Sequence, residues 1–269
     1  MWNTGGMPPP AAPAVTRLST TPIKGFALNH PDMIELDSNG AVGDRDFFVV
    51  DEKNRLLSIT RTGVFASWRA AFDRSSDLLR VESVDGRQLE APVTGSESIA
   101  VDFSGTRPIP GHVVEGPWHD WLSGIVGKSV FLVRTETPGA AYDEYAMTLL
   151  SDESVAELAQ HAPDGSIDSR RFRMLIGFSG VSAYAEETWH GQTVRIGSAA
   201  LRMGEPVPRC NATTRDPDSG DSDLKTLHLI HQHRGRQPNE FGDGLNLGVY
   251  AEVVTPGTIS VGDEISVGV

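Results

Sequence analysis

Apolar residues fall mostly in short runs broken by Gly, Pro, Asp and Asn, a pattern that predicts strands joined by tight turns. The stretch Asp46 to Thr60, "DFFVVDEKNRLLSIT", reads as strand, turn, strand, with Glu52 to Arg55 reversing the chain. "DLLRVESVDGRQLEAPV" repeats that grammar around Asp85-Gly86, a strong hairpin signal. "ESIAVDF" predicts another strand, and "RFRMLIGF", "TVRIGSAALRMGE" and "GVYAEVVTPGTISVGDEISV" continue the pattern. Gly197-Ser198, Pro256-Gly257 and Gly262-Asp263 mark the later turns.

Helical spacing is rarer. Pro117 opens "PWHDWLSGIVG", Gly127 closes it, and Trp118, Trp121, Leu122 and Ile125 share a face. Ser151 caps "SDESVAELAQHA", which buries Val155, Leu158 and Ala159. "DSDLKTLHLIHQHR" predicts a third helix. Many short strands with a few covering helices point to a mainly β, α+β protein with a barrel-like core, not a doubly wound sheet.

At 269 residues the chain is long enough for one large domain or two small ones. A net charge of −13 opposes nonspecific binding to nucleic acid or an anionic membrane, so an anionic ligand needs a local basic cluster. Residues 1–14, rich in Pro, Ala and Gly, read as a flexible tail without the basic and apolar regions of a secretory signal. No apolar run reaches membrane-spanning length. One cysteine excludes an intrachain disulfide, and together these features lead to the expectation of a cytoplasmic protein.

Several chemistries drop out early. GxGxxG and GxxxxGK[ST] are absent, as are GxSxG and HExxH. His228, His231 and His233 crowd one segment, but their spacing fits a solvated helix end better than a metal site. The basic residues Lys24, Arg45, Arg61, Arg171, Arg173 and Arg209 each fall at a strand end or turn, where loops can bring cations together around a phosphate. Cys210, beside Arg209, reads either as a small buried hydrophobe or as a reactive thiolate and soft metal ligand.

"LSTTPIKGF…GAVGDRDFFVVDEKNRLLSITR" resembles the N-terminal β-barrel module that precedes a molybdenum-cofactor sulfurase C-terminal (MOSC) domain. "RRFRMLIGFSG…RMGEPVPRCNATTRDPDSG…PGTISVGDEISV" resembles the MOSC domain itself, similar to that of the mitochondrial amidoxime-reducing component. The resemblance implies a tail over 1–14, the β-barrel module over 15–104 and the MOSC domain over 105–269. It implies a pterin-bound molybdenum cofactor (molybdopterin) with Cys210 as metal ligand and catalytic centre. Lys24, Arg45, Arg61, Arg173 and Arg209 would grip the pterin phosphate and polar edge, and Thr213 and Thr214 would line the loop after the cysteine.

The implied activity is reduction of N-hydroxylated or N-oxide small molecules, with electrons from a separate electron-transfer protein. This chain has neither a cysteine framework for an iron–sulfur cluster nor a nucleotide fingerprint. Four features depart from the family pattern: Met174-Leu175 in place of Pro-Asn, Gly25 in place of a serine, Val207 in place of a second cysteine, and a longer, histidine-rich segment after Thr226. They keep a second reading open, sulfur handling at Cys210 (persulfide transfer or C–S cleavage) with another phosphorylated cofactor such as pyridoxal phosphate or with none. A third is a carrier that passes the cofactor on.

Overall fold

The computed structural model describes residues 12–103 and 107–268, so the expected tail lies outside the described residues up to residue 11. The protein is mainly β, and its largest unit is a seven-stranded sheet. Across that sheet the strands run Ala14–Leu18, Ile176–Ser179, Met147–Ser151, Asn246–Thr255, Ala199–Pro208, Thr193–Ile196 and Ile265–Val267. Only the pair Met147–Ser151 and Ile176–Ser179 is parallel.

The two edges almost meet. Val15 N–H donates to the Asp263 carbonyl at 2.9 Å and Gly262 N–H to the Val15 carbonyl at 2.8 Å, making a nearly closed barrel. Its interior holds Leu18, Leu149, Ile176, Phe178, Val194, Leu201 and Val249, all fully buried. Each such side chain contributes about 1.5–3 kcal/mol on leaving water.

A second core lies among the earlier segments. Phe47–Asp51, Val130–Thr135, Arg107–Val114 and Gly95–Phe103 form a four-stranded sheet, and Trp68–Asp73, Leu78–Ser83 and Gln88–Pro92 form a three-stranded meander. Helix α1 (Trp118–Val126) covers them with Trp118 and Leu122, and Gly127 ends it in the left-handed conformation with φ 76°. Strands cross between the two regions. Ala14–Leu18 sits in the large sheet, Met33–Asp37 pairs with Gly257–Ser260, and Val130–Thr135 pairs back onto Phe47–Asp51.

Helix α2 (Asp152–Ala159) starts where Ser151 Oγ accepts the Ser154 N–H, with Asp152 and Glu153 favourably placed in its positive first turn. Helix α3 (Thr226–Arg234) buries Leu229 and Ile230 against Val155, Leu158 and Leu247. It is shorter than expected because Asp223 is held by both Nη atoms of Arg171, at 2.6 and 2.7 Å, which keeps residues 221–225 as loop.

"RFRML" does not open a strand either. Asp168 caps a 3₁₀ turn at Ser169–Phe172, Arg173 adopts φ 54°, and the strand begins at Ile176. After Leu57 the expected second strand gives way to a turn closed by Arg61 and Thr62 N–H groups on the Ser58 carbonyl. Among the described residues, no helix is long and apolar enough to cross a membrane.

Candidate functional site

These interruptions share a location. The Ser58–Thr60 turn, the Phe172–Met174 corner, the loop through Lys24, the turn through Arg45 and the end of the Ala199–Pro208 strand all border one cavity of about 630 Å³. Lys24, Arg45, Arg173, Arg209 and Cys210 line it together with Tyr142, Asp143, Tyr145, Phe241 and Tyr250.

Lys24 is buried and its Nζ lies 2.9 Å from Asp143 Oδ1. Burial pulls the ammonium below its ordinary pKa, and Asp143 restores only part of the difference. The Asp143 side chain is 78% exposed at the cavity. Desolvation opposes its charge, but Lys24, then Arg45 and Arg173, hold its carboxyl below the ordinary range. Arg45 has φ 55°, its N–H donates to the Thr21 carbonyl, and its guanidinium pairs with the fully buried Asp44 carboxylate. Burial works against that guanidinium, yet Asp44, with Tyr142 and Asp143, outweighs it and raises the pKa. The same guanidinium lies over the Tyr142 ring, 5.5 Å from its centre.

Arg173 and Arg209 are treated differently. Arg173 Nη2 donates to the Phe26 carbonyl at 2.8 Å, and among the described residues no carboxylate lies within ion-pair distance. Burial, then repulsion from Arg45, pushes its pKa down to about 10. Arg209 donates to the Phe172 carbonyl and, at 3.2 Å, to the Met174 thioether, while its Nε is buried without a hydrogen-bond partner. Burial lowers its pKa too. The Cys210 thiol is exposed, which settles the choice left open by the sequence against a buried hydrophobe.

Three expected contacts are not on the cavity wall. Arg61 is exposed beyond the Ser58–Thr60 turn, and that turn presents its own Ser58, Ile59 and Thr60 to the cavity. Thr213 is fully buried, donating to the Cys210 carbonyl at 3.0 Å and bonded to Thr226 Oγ1. Thr214 donates to the Asn211 carbonyl at 2.7 Å. Both brace the short 3₁₀ turn Asn211–Thr214 that follows the cysteine.

Residues 136–266 match the MOSC domain family model. The chain carries a MOSC domain. Mitochondrial amidoxime-reducing component 1 of Mus musculus is 34% identical over 142 residues, covering 51% of this chain and 40% of that protein. A molybdenum cofactor sulfurase of Caenorhabditis briggsae is 23% identical over 241 residues, covering 86% of this chain and 33% of that protein. The chain thus spans less than half the length of the curated relatives it matches. The YUAD protein of Bacillus subtilis superposes over 96% of both chains at 15% identity, with a TM-score of 0.43.

The four departures from the MOSC pattern acquire physical reasons. Gly25 has φ 90°, in the region that favours glycine, so a serine would strain the backbone beside Lys24. Val207 is buried among Leu229, Ile230 and Leu247, and Leu175 is buried in the barrel core. Met174 supplies the sulfur that Arg209 contacts. The histidine-rich segment places His228 and His231 in solvent and sends only His233 toward other polar groups, away from the cavity lining.

Tyr142, Asp143, Tyr145, Phe241 and Tyr250 are among the cavity residues that sequence reasoning missed. "PGAAYDEYAM" has no periodicity or motif to mark it; its one signal is two tyrosines flanking two acids next to a strand. Burial raises the phenol pKa of Tyr142 and Tyr250, so both remain hydrogen-bonding hydroxyls at neutral pH.

Proposed function

We propose that the MOSC domain binds the molybdenum cofactor in this cavity, with Cys210 as protein ligand to the metal. The holo-protein would be an oxidoreductase that reduces N-hydroxylated or N-oxide small molecules. One observation carries the reading: the single thiol of the chain is exposed on the wall of the cavity that five basic side chains, Lys24, Arg45, Arg171, Arg173 and Arg209, also line.

The donor set suits such a group. A thiolate is a soft ligand appropriate to molybdenum. Arg173 and Arg209 bring charge without a carboxylate partner, and the orphaned Arg209 Nε leaves a buried donor for an anionic oxygen. Lys24, Arg45 and Arg173 would hold the pterin phosphate and polar edge. Arg209, immobilised on Phe172 and Met174, would sit beside the ligating sulfur. When bound, the cofactor supplies two-electron oxygen-atom chemistry.

The substrate N–O bond is broken, two electrons and two protons enter, and the oxygen leaves as water. The electrons come from a separate electron-transfer protein, since one cysteine makes no cluster framework. The test is elemental analysis of protein produced in cofactor-making cells, alongside Cys210→Ala, with turnover of an amidoxime under a chemical reductant. About one molybdenum per chain, lost in the variant together with turnover, supports the proposal. Full molybdenum retention in Cys210→Ala would overturn it.

A second reading has its own support, because the match to molybdenum cofactor sulfurases extends over 86% of this chain in the nematode protein. In it Cys210 carries transferable sulfur, and the basic wall holds another phosphorylated cofactor such as pyridoxal phosphate. Lys24 is the one lysine among the described lining residues and would be the amine available to it. Metal-free protein with sulfane sulfur on Cys210, and pyridoxal phosphate lost in Lys24→Ala, would favour this chemistry over oxygen abstraction.

A further inference from the structure

Outside the cavity, the ends of α2 and α3 bring three metal-ligating side chains together. Glu157 lies in the last turn of α2, His161 follows four residues later, and His233 lies in the last turn of α3. One ligand atom from each falls within 4.8 Å of the other two. The His161 and His233 rings face each other with centres 4.0 Å apart, and His233 Nε2 is 3.8 Å from Glu157 Oε1.

We propose that Glu157, His161 and His233 form a binding site for a zinc-class divalent cation, separate from the Cys210 cavity. Two imidazoles and one carboxylate make a donor set that zinc accepts with a solvent molecule in the fourth position. Tetrahedral bonds of about 2.0 Å put donors about 3.3 Å apart, so closing the site takes about 1 Å of side-chain adjustment. Partial exposure of Glu157 and His233, at 39% and 22%, leaves room for that movement and an entry path.

The backbone favours a cation there as well. Glu157 and His233 both occupy C-terminal turns, where unpaired carbonyls give each helix a partial negative charge. Neither turn carries a lysine, and Arg234 is directed away onto Glu187, at 2.6 and 2.8 Å. Gln160 Nε2 donates to Glu157 Oε2 at 3.0 Å, leaving Oε1 toward His233. Beside the cluster, the Tyr184 ring lies 6.4 Å from His233, and its hydroxyl is buried without a hydrogen-bond partner.

Such a cation would tie α3 to the barrel flank. The other end of α3 reaches the Cys210 loop through the Thr226–Thr213 hydroxyl contact, so the clamp would secure the helix that braces that loop.

The experiment uses untagged, metal-free protein carrying Cys210→Ser, which removes the competing thiolate. Titration with zinc sulfate by calorimetry should give about one saturable site, and zinc should raise the melting temperature by a few degrees. His161→Ala or His233→Ala should weaken binding by at least about tenfold and abolish that rise. His228→Ala and His231→Ala, exposed on the same helix, should leave both unchanged. Absence of a saturable site in Cys210→Ser would overturn the proposal, and so would equal weakening by His228→Ala or His231→Ala. Neither outcome bears on whether Cys210 ligates molybdenum.

Discussion

In the cavity lining Lys24 and Arg45 each face a carboxylate, whereas Arg173 and Arg209 face backbone carbonyls and a thioether. A buried ion pair makes part of the fold depend on both partners, whereas a buried guanidinium without an acid is a standing cost that an anionic ligand can offset. The paired cations themselves divide. Asp44 is fully buried under Arg45, but Asp143 is mostly exposed beside Lys24. Arg45 is thus tied to the architecture, Lys24 is held by an acid a ligand can displace, and Arg173 and Arg209 are already open to one.

The largest expected effect tests the architectural end of that series. Arg45→Met leaves the Asp44 carboxylate buried, accepting the Thr21 N–H but without its cation. Breaking such a pair costs about 3–5 kcal/mol, read as a lower urea midpoint at unchanged slope. A loss under about 1 kcal/mol would mean that Arg45 serves the ligand without also holding the architecture. Next comes the close approach of Gly63 to Gly220, just beyond the Ser58–Thr60 turn. A Cβ on Gly63 would overlap the Gly220 carbonyl oxygen, a backbone atom that cannot step aside alone. Gly63→Ala should cost about 1–3 kcal/mol and displace the Ser58–Thr60 turn from the loop after Asp216. Crystallography of the variant would show whether that turn moves.

Arg173→Met separates stability from binding. Removing an uncompensated buried charge should leave the urea midpoint unchanged or higher. Losing a charge-assisted donor should weaken pyrophosphate binding about tenfold, measured by calorimetry. A stability loss equal to that of Arg45→Met would erase the distinction between the paired and unpaired cations.

What the sequence made legible follows the range of the forces involved. Asp85-Gly86 and Gly197-Ser198 specify hairpins through local backbone preference, and the observed strands flank them as expected. Ser151 capped α2 for the same reason. The sequence marked Arg173 but not its setting, because its partner Phe26 lies 147 residues away and only the assembled molecule presents that carbonyl. The strand expected after Leu57 is likewise replaced by a turn that the Arg61 and Thr62 N–H groups close on the Ser58 carbonyl. The resemblance marked the cations and the thiol one by one, but not which acids compensate them. Asp143 has no motif, and its role comes wholly from standing opposite Lys24.

Asp143→Asn carries the smallest effect and the finest discrimination. At neutral pH the carboxylate is ionised, because Lys24, Arg45 and Arg173 together outweigh desolvation and hold its carboxyl below the ordinary range. A folded-state pKa depressed in this way means that the pair contributes fully above the ordinary carboxylate pKa. The contribution is lost only as pH falls through the depressed value. Removing one negative charge about 6 Å from a bound anion, across a water-like dielectric, is worth about 0.7 kcal/mol, so pyrophosphate should bind about threefold tighter to the variant. The gain should stay level from about pH 5 to 8 and shrink in stronger acid, where the wild-type carboxylate takes up a proton. If Asp143 were architectural like Asp44, the variant would lose stability and bind no better, because Lys24 would be left buried without its counter-charge.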